Sequence, residues 1–409
     1  GGKIMNENVI IERKKDILKI VDSLDITPTM HKNAVDKYTA IVSVLENNGI
    51  NAHMYPQGSF AIGTVVKPKK GKGNADYDLD VICEVNYNKH EITPLALYDK
   101  LKVALENNGT YSSKLEYYDE CITINYSDVN GIGFSIDIVP SVHEDQETIV
   151  SMKSHSTMPE LCDSSIAITI DKALDWGSSN PKGFQAWFEK INQKFLDYGI
   201  YTNREQILNE NRALFASADE IPKSVVKTPL QRVIQLLKIH NNEFFDKPKI
   251  KDYKVKSVII ATLVTSIASN APNYYDTFNL LKYVLDNLSI YTSLKENYNM
   301  FRSLHPNDTI IQYDGKTWYI ENPSNPEDNL ANSWNENTEN AICFFNWIKA
   351  LLNDFNLIND INDSTGMLNV FGESILNKTD IGRKYISKSS QLVSNTSKSQ
   401  PWMGCYYEK

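Results

Sequence analysis

At 409 residues the chain is longer than one ordinary core sustains, so two domains are expected. A composition 41% hydrophobic and 23% charged is that of a globular protein. The formal charge of −9 argues against a general grip on duplex DNA or RNA, which calls for a basic field.

Two helices open the chain. "NVIIERKKDILKIVDSL" spaces Ile10, Ile17, Ile20, Val21 and Leu24 at helical intervals, and "TPTMHKNAVDKYTAIVSVLENNG" has a Thr-Pro start and an Asn-Gly stop. "INAHMYPQGSF" then reads as a short strand running into a turn, and "FAIGT" as the start of a short helix. In "VVKPKKGKG", Lys67, Lys69, Lys70 and Lys72 form either a solvated loop or a rim that attracts phosphate. "YDLDVICEV" is a strand, "TPLALYDKLKVALENNG" a helix, "YDECITINY" and "GIGFSIDIVPSV" neighbouring strands, and "SSIAITI" a further strand. Beyond about residue 178 helices dominate: "NPKGFQAWFEKINQKFL", "TPLQRVIQLLKIHNNEFF", "KSVIIATLVTSIAS", "YDTFNLLKYVLDNL" and "NAICFFNWIKALLNDF".

The expected class is therefore α+β. A front lobe over 5–178 combines the opening helices with a catalytic sheet, and a helical lobe follows over 179–390. The hinge falls near "GSSNPKG", and a polar, Ser-rich tail over 391–409 is expected to be partly disordered. The cysteines Cys83, Cys121, Cys162, Cys343 and Cys405 contain no CxxC pair, and the histidines no HExxH, so no zinc cluster or disulfide framework can be read from them and a reducing cytoplasm fits best. No apolar run is long enough to cross a bilayer; "GGKI" reads as an addition ahead of Met5, with no signal peptide.

The chemistry concentrates in two strands and one turn. Side chains alternate across a strand, so Asp76, Asp78 and Asp80 share a face while Leu79 and Val81 take the buried one. Like charges so placed repel unless a cation neutralises them. Asp137 stands between Ile136 and Ile138 in a later strand, where an unpartnered carboxylate is costly. If the strands are neighbours, Asp78, Asp80 and Asp137 converge on paired divalent ions, and oxygen ligands suit Mg²⁺ or Mn²⁺. Read singly, Asp-x-Asp is also a common surface turn, and Asp137 is also a salt-bridge residue. Gly58 permits close backbone approach, and Ser59 offers a hydroxyl and an N–H to phosphate.

Gly-Ser, then Asp-x-Asp on the next strand, then a lone Asp on a later one, resembles the signature of the polymerase-β nucleotidyltransferase superfamily. "QGSFAIGTVVKP", "YDLDVICEV", "FSIDIVPSV", "SNPKGFQAWFEK", "PLQRVIQLLKIHNNEFF", "KPKIKDYKVKSVIIATLV" and "NPSNPEDNLANSW" resemble one branch, the bacterial cGAS/DncV-like nucleotidyltransferases (CD-NTases) of CBASS anti-phage defence. The resemblance runs from about residue 25 to 350. It implies a polymerase-β-like lobe plus a helical lobe with the active site in the cleft between them.

It also implies roles: Asp78, Asp80 and Asp137 as catalytic metal ligands for two ions, and Gln57, Gly58 and Ser59 as the donor-triphosphate turn. Lys238 and Ser257 would join them at the donor phosphates; without the resemblance, Lys238 reads as a helix-surface charge and Ser257 as a helix N-cap. Asp171 is a weaker candidate for a base edge. The implied reaction joins nucleoside triphosphates (ATP or GTP, with UTP a further candidate) into a cyclic di- or trinucleotide that acts on a separate effector, with CBASS regulatory proteins as candidate partners. The zinc insertion with which the animal relative grips DNA has no counterpart here, so no stable nucleic-acid partner is expected. The chain ends "YYEK" rather than in a glycine suited to conjugation. Rival readings are a template-independent enzyme extending RNA or tRNA ends, and a catalytically silent nucleotide sensor on the same fold.

Overall fold

The structure, a computed structural model, describes residues 2–67, 77–129, 132–170, 173–210, 227–294, 298–306, 308, 310–360 and 363–386. Asp76, Asp171, Lys69, Lys70, Lys72 and the tail from 387 onward lie outside the described residues.

In chain order the front half runs α1 (Gly2–Ser23), α2 (Pro28–Asn47), β1 (Ala52–Pro56), α3 (Gly58–Ala61), β2 (Tyr77–Asn88) and α4 (Pro94–Glu106). Strands β3 (Leu115–Tyr117), β4 (Ile122–Val129) and β5 (Ile132–His143) follow, then α5 (Gln146–His155), β6 (Ile166–Ile170) and β7 (Asp175–Ser179). The back half runs α6 (Pro181–Glu210), α7 (Pro229–Phe244), α8 (Ser257–Ala268), α9 (Thr277–Ser289) and α10 (Tyr298–Leu304). Four short strands come next: β8 (Gln312–Tyr313), β9 (Trp318–Tyr319), β10 (Glu321–Asn322) and β11 (Asn325–Asn329). Helices α11 (Asn332–Glu336), α12 (Thr338–Leu357) and α13 (Thr365–Leu376) complete the order.

Three helices start by the same local chemistry. A proline at the first turn has its φ preset and leaves no N–H orphaned, while the threonine before it accepts a backbone N–H. Thr27 accepts from Met30 N to cap α2, Thr93 from Ala96 N to cap α4, and Thr228 from Gln231 N to cap α7. At α7 the Gln231 side chain also accepts from the Thr228 N–H, completing a reciprocal cap.

The front strands form one sheet in the order β1-β2-β5-β4-β3, with β6 pairing the end of β5 and β7 pairing β6. Only β2 and β5 run parallel within it. Their register sets Leu79 opposite Ile136 and Val81 opposite Ile138. These four residues are at most 1% exposed, and they pack with Leu97 and Leu101 of α4 and Ile41 and Leu45 of α2. One face of the sheet is thus closed by helices, which leaves the other for a site.

A second core lies among the helices, joining Trp187, Leu237, Ile260, Leu280, Trp347 and Phe371. Ile17, Ile20, Val21 and Leu24 of α1 belong to this second core, whereas the sequence grouped both opening helices with the sheet. Ion pairs reinforce the placement: Arg232 of α7 meets Asp25 at 2.8 Å and also pairs with Asp22. Asn180, 2% exposed, marks the joint between halves. Its amide donates to Leu161 O at 2.7 Å and Ser324 O at 2.8 Å, and its Oδ1 accepts from Ser164 Oγ and Gly183 N.

Candidate active site

Asp80 and Asp137 are direct register partners on the parallel pair β2 and β5. Neighbouring strands lie about 4.8 Å apart, so partners at one register position stand side by side on one face. Asp80 is exposed and Asp137 half-buried, between neighbours in each strand that are fully buried. Thr123 of β4, opposite Asp137, donates its hydroxyl to Asp137 Oδ1 at 2.6 Å. Both carboxylates act on Cys121: burial first, then Asp137, with Asp80 adding, pushes the thiol up to about 11. Asp78 lies one pleat before Asp80, its backbone opposite Ser135. Its side chain is outside the described set, among which no three His, Cys, Asp or Glu side chains gather around a metal position. The donor chemistry that is described fits a hard divalent ion: carboxylates side by side on one sheet face offer the oxygen ligands such an ion takes.

The Gly-Ser turn sits directly against this edge. Gln57 N donates to Asp80 O at 2.9 Å, and a Cβ added to Gly58 would lie 3.6 Å from Asp80 Oδ2. Gly58 has φ +60, a conformation that favours glycine, so the residue both turns the chain and admits the carboxylate beside it. The short helix α3 is Gly58–Ala61 rather than a helix starting at "FAIGT": it is a single turn anchored by buried Phe60. Gly63, at φ +69, carries the chain out of that turn in place of a longer helix.

Across the turn a cleft of about 250 Å³ opens between the sheet and the helices. Gln57, Gly58, Ser59, Asp80, Lys238 and Ser257 all line it, gathered from the turn, β2, α7 and α8. Asp137 is beside Asp80 but is not part of that lining. Lys238 is no surface charge: it is 9% exposed and donates to Thr64 O at 2.9 Å. Burial, with Lys254 adding, lowers its ammonium pKa to about 8. Ser257 is not an N-cap, because Lys256 holds that position without a side-chain cap and Ser257 begins α8 exposed toward the cleft.

The sequence did not single out Phe184, Gln185, Asn322 or Asp328, which also line the cleft. Phe184 supplies an aromatic face at the start of α6. Asn322 donates to Asp328 Oδ2 at 2.9 Å, while its own Oδ1 accepts from Ser324 N at 3.1 Å. The signal for these two was the "NPSNPEDNLANSW" text, which the resemblance had marked without assigning a role.

Comparison with known proteins now bears on this geometry. Residues 13–192 match the model of the Second Messenger Oligonucleotide or Dinucleotide Synthetase domain. A c-di-GMP synthase of Roseivirga ehrenbergii is 26% identical over 398 residues, which span 96% of this chain and 90% of that protein. Among solved structures, the Bradyrhizobium diazoefficiens CD-NTase CdnG in complex with GTP aligns with a TM-score of 0.63 at 18% identity. That alignment covers 92% of this chain and 99% of the other. Escherichia coli MS115-1 CdnC with ATP aligns with a TM-score of 0.56 at 16% identity, covering 88% of this chain and 98% of the other. The architecture is the polymerase-β-like nucleotidyltransferase lobe with a helical lobe that the sequence led one to expect.

Proposed function

We propose that this chain is a cGAS/DncV-like nucleotidyltransferase whose cleft joins nucleoside triphosphates into a cyclic di- or trinucleotide second messenger, a reading supported by the match to the synthetase domain and the similarity to a c-di-GMP synthase. The observation that carries this reading is the meeting of the Gly58–Ser59 turn, Asp80 and buried Lys238 around one cleft, with Asp137 the register partner of Asp80.

In this reading Gln57, Gly58 and Ser59 hold the donor triphosphate, and Lys238 and Ser257 approach its phosphates from the opposite wall. Asp78, Asp80 and Asp137 hold two Mg²⁺ or Mn²⁺ ions. When bound, such ions lower the pKa of an attacking hydroxyl and stabilise charge on leaving pyrophosphate. Asp137 stands on the strand beside Asp80, where the acceptor ribose hydroxyl approaches. Attack in line at the α-phosphorus gives a linear dinucleotide, and a later attack within the same cleft closes the ring. Phe184 offers a face on which a base stacks, worth about 1–3 kcal/mol.

The relative's named product favours GTP among the candidate substrates. The product acts on a separate effector in anti-phage signalling, in the cytoplasm. Among the described residues no helix is long and apolar enough to cross a membrane. The charge of −9 weighs against an enzyme that extends RNA or tRNA ends, since that enzyme must hold a polyanion.

The test incubates the protein with labelled GTP and ATP in Mg²⁺ or Mn²⁺, adds phosphatase, and identifies products by mass spectrometry. A phosphatase-resistant cyclic product is expected. A ladder grown on an RNA primer would replace this reading with an RNA-end transferase. Nucleotide binding without pyrophosphate release would replace it with a silent sensor.

A further inference from the structure

The loop after the Gly-Ser turn is bonded on both of its sides. Inward, its amides tie to the turn: Ile62 N donates to Gly58 O, Gly63 N to Phe60 O, and Thr64 N to Ser59 O at 2.8 Å. Outward, four consecutive carbonyls accept from one face of the helical half. Gln231 Nε2 reaches Ile62 O at 3.0 Å, Lys227 Nζ reaches Gly63 O at 2.6 Å, Lys238 Nζ reaches Thr64 O at 2.9 Å, and Gln235 Nε2 reaches Val65 O at 2.8 Å. Gln231, Gln235 and Lys238 are spaced to share one face of α7, and Lys227 stands just ahead of the Thr228 cap. Gly63 is what lets the two nearest donors in: a Cβ there would lie 2.6 Å from Gln231 Nε2 and 3.3 Å from Lys227 Nζ.

We propose that this face of α7, together with Lys227 just ahead of it, is a clamp that shapes the donor-phosphate turn, with Lys227, Gln231 and Gln235 as positioning residues. The inference rests on the reading of Gly58–Ser59 as the triphosphate turn. Of the four donors only Lys238 lines the cleft, so the other three act through the loop backbone. Three fixed bonds keep the loop in place while the fourth donor, Lys238, exchanges Thr64 O for a phosphate oxygen. A backbone held from both sides does not have to be ordered when nucleotide arrives, and that lowers the cost of binding.

The discriminating variant is Gln231→Glu. It keeps the oxygen that accepts from Thr228 N and so preserves the helix cap, but it removes the amide that donates to Ile62 O. Loss of one such bond corresponds to about a three- to tenfold change in an equilibrium constant. The KM for GTP should rise by that factor with kcat nearly unchanged and Tm within about 2 °C of the parent. Lys227→Met should give the same split, and Lys227→Arg, which retains a donor, should restore the parent KM. An unchanged KM in Gln231→Glu, or a KM rise that Lys227→Arg shares with Lys227→Met, overturns the clamp. Calorimetric titration with a non-hydrolysable GTP analogue separates this from the activity. If the parent binds but forms no cyclic product, the proposed function fails, while the same three- to tenfold weakening of Kd still supports the clamp and its absence still overturns it.

Discussion

Asp80 lines the cleft, with Asp137 beside it, from strands whose flanking residues are wholly buried, while Lys238 and Ser257 face the cleft from helices of the other core. The acidic side is positioned by backbone register, with Thr123 donating to Asp137, and Asp80 itself is exposed. The cationic side is held by burial: Lys238 sits inside the packing and spends its hydrogen bond on a backbone carbonyl. Charge on the first side costs the fold little to keep. Charge on the second is disfavoured by its surroundings until an anion arrives. Substitutions on the two sides should therefore separate activity from stability in different ways.

The largest effect is expected on the acidic side. Asp80→Asn should lower product formation by about 10³-fold or more, because metal-assisted stabilisation is worth several kcal/mol. Tm should not change, since the side chain is exposed. Normal turnover by this variant, followed by mass spectrometry, would remove the metal edge from the mechanism. Lys238→Met comes next. A charge-assisted bond to phosphate contributes about 1.5–3 kcal/mol, so the KM for nucleotide should rise about 10–100-fold. Tm should hold or increase, because a buried ammonium is replaced by an apolar side chain of similar length. A fall in Tm with unchanged KM would make Lys238 a structural residue instead.

The same lysine gives a pH dependence with a definite sign. Its free-enzyme pKa is lowered to about 8, and a bound phosphate would raise it. Affinity for nucleotide is then fully present below about pH 8 and declines as pH rises through that value. Titrations of Kd between pH 7 and pH 9.5, about one unit below and one and a half above the transition, should show the decline in the parent and lose it in Lys238→Met. The smallest effect belongs to Ser59→Ala. One neutral hydroxyl is worth about 0.5–1.5 kcal/mol, so a KM change of roughly two- to tenfold is expected with little change in kcat.

Much of the acidic side could be read directly in the chain, and particular residues show why. A strand's two-residue period converts Leu79-Asp80-Val81 and Ile136-Asp137-Ile138 into buried neighbours with a carboxylate on the other face, without reference to any other segment. The Thr-Pro starts of α2, α4 and α7 were equally local, because capping needs only the next three residues. The helix expected from "FAIGT" went wrong for a nearby reason: Gly58 and Gly63 both adopt positive φ and confine the helix to one turn between them. The cationic side was hidden by distance. Nothing within α7 says that Lys238 is buried, since its cover comes from a loop 174 positions earlier.

The amino-acid order by itself determined the α+β class, the alternation that presents the carboxylates, the turn ahead of them, and the match of residues 13–192 to a synthetase domain model. These depend on interactions spanning a few residues, or on text that short segments carry. Only the tertiary structure decided that Asp80 lies level with Asp137, that α1 joins the helical core, and that Thr64 and Lys238 meet. Strand register and the docking of one core on another are set by packing between segments far apart in the chain, and no local pattern encodes which partner each surface will find.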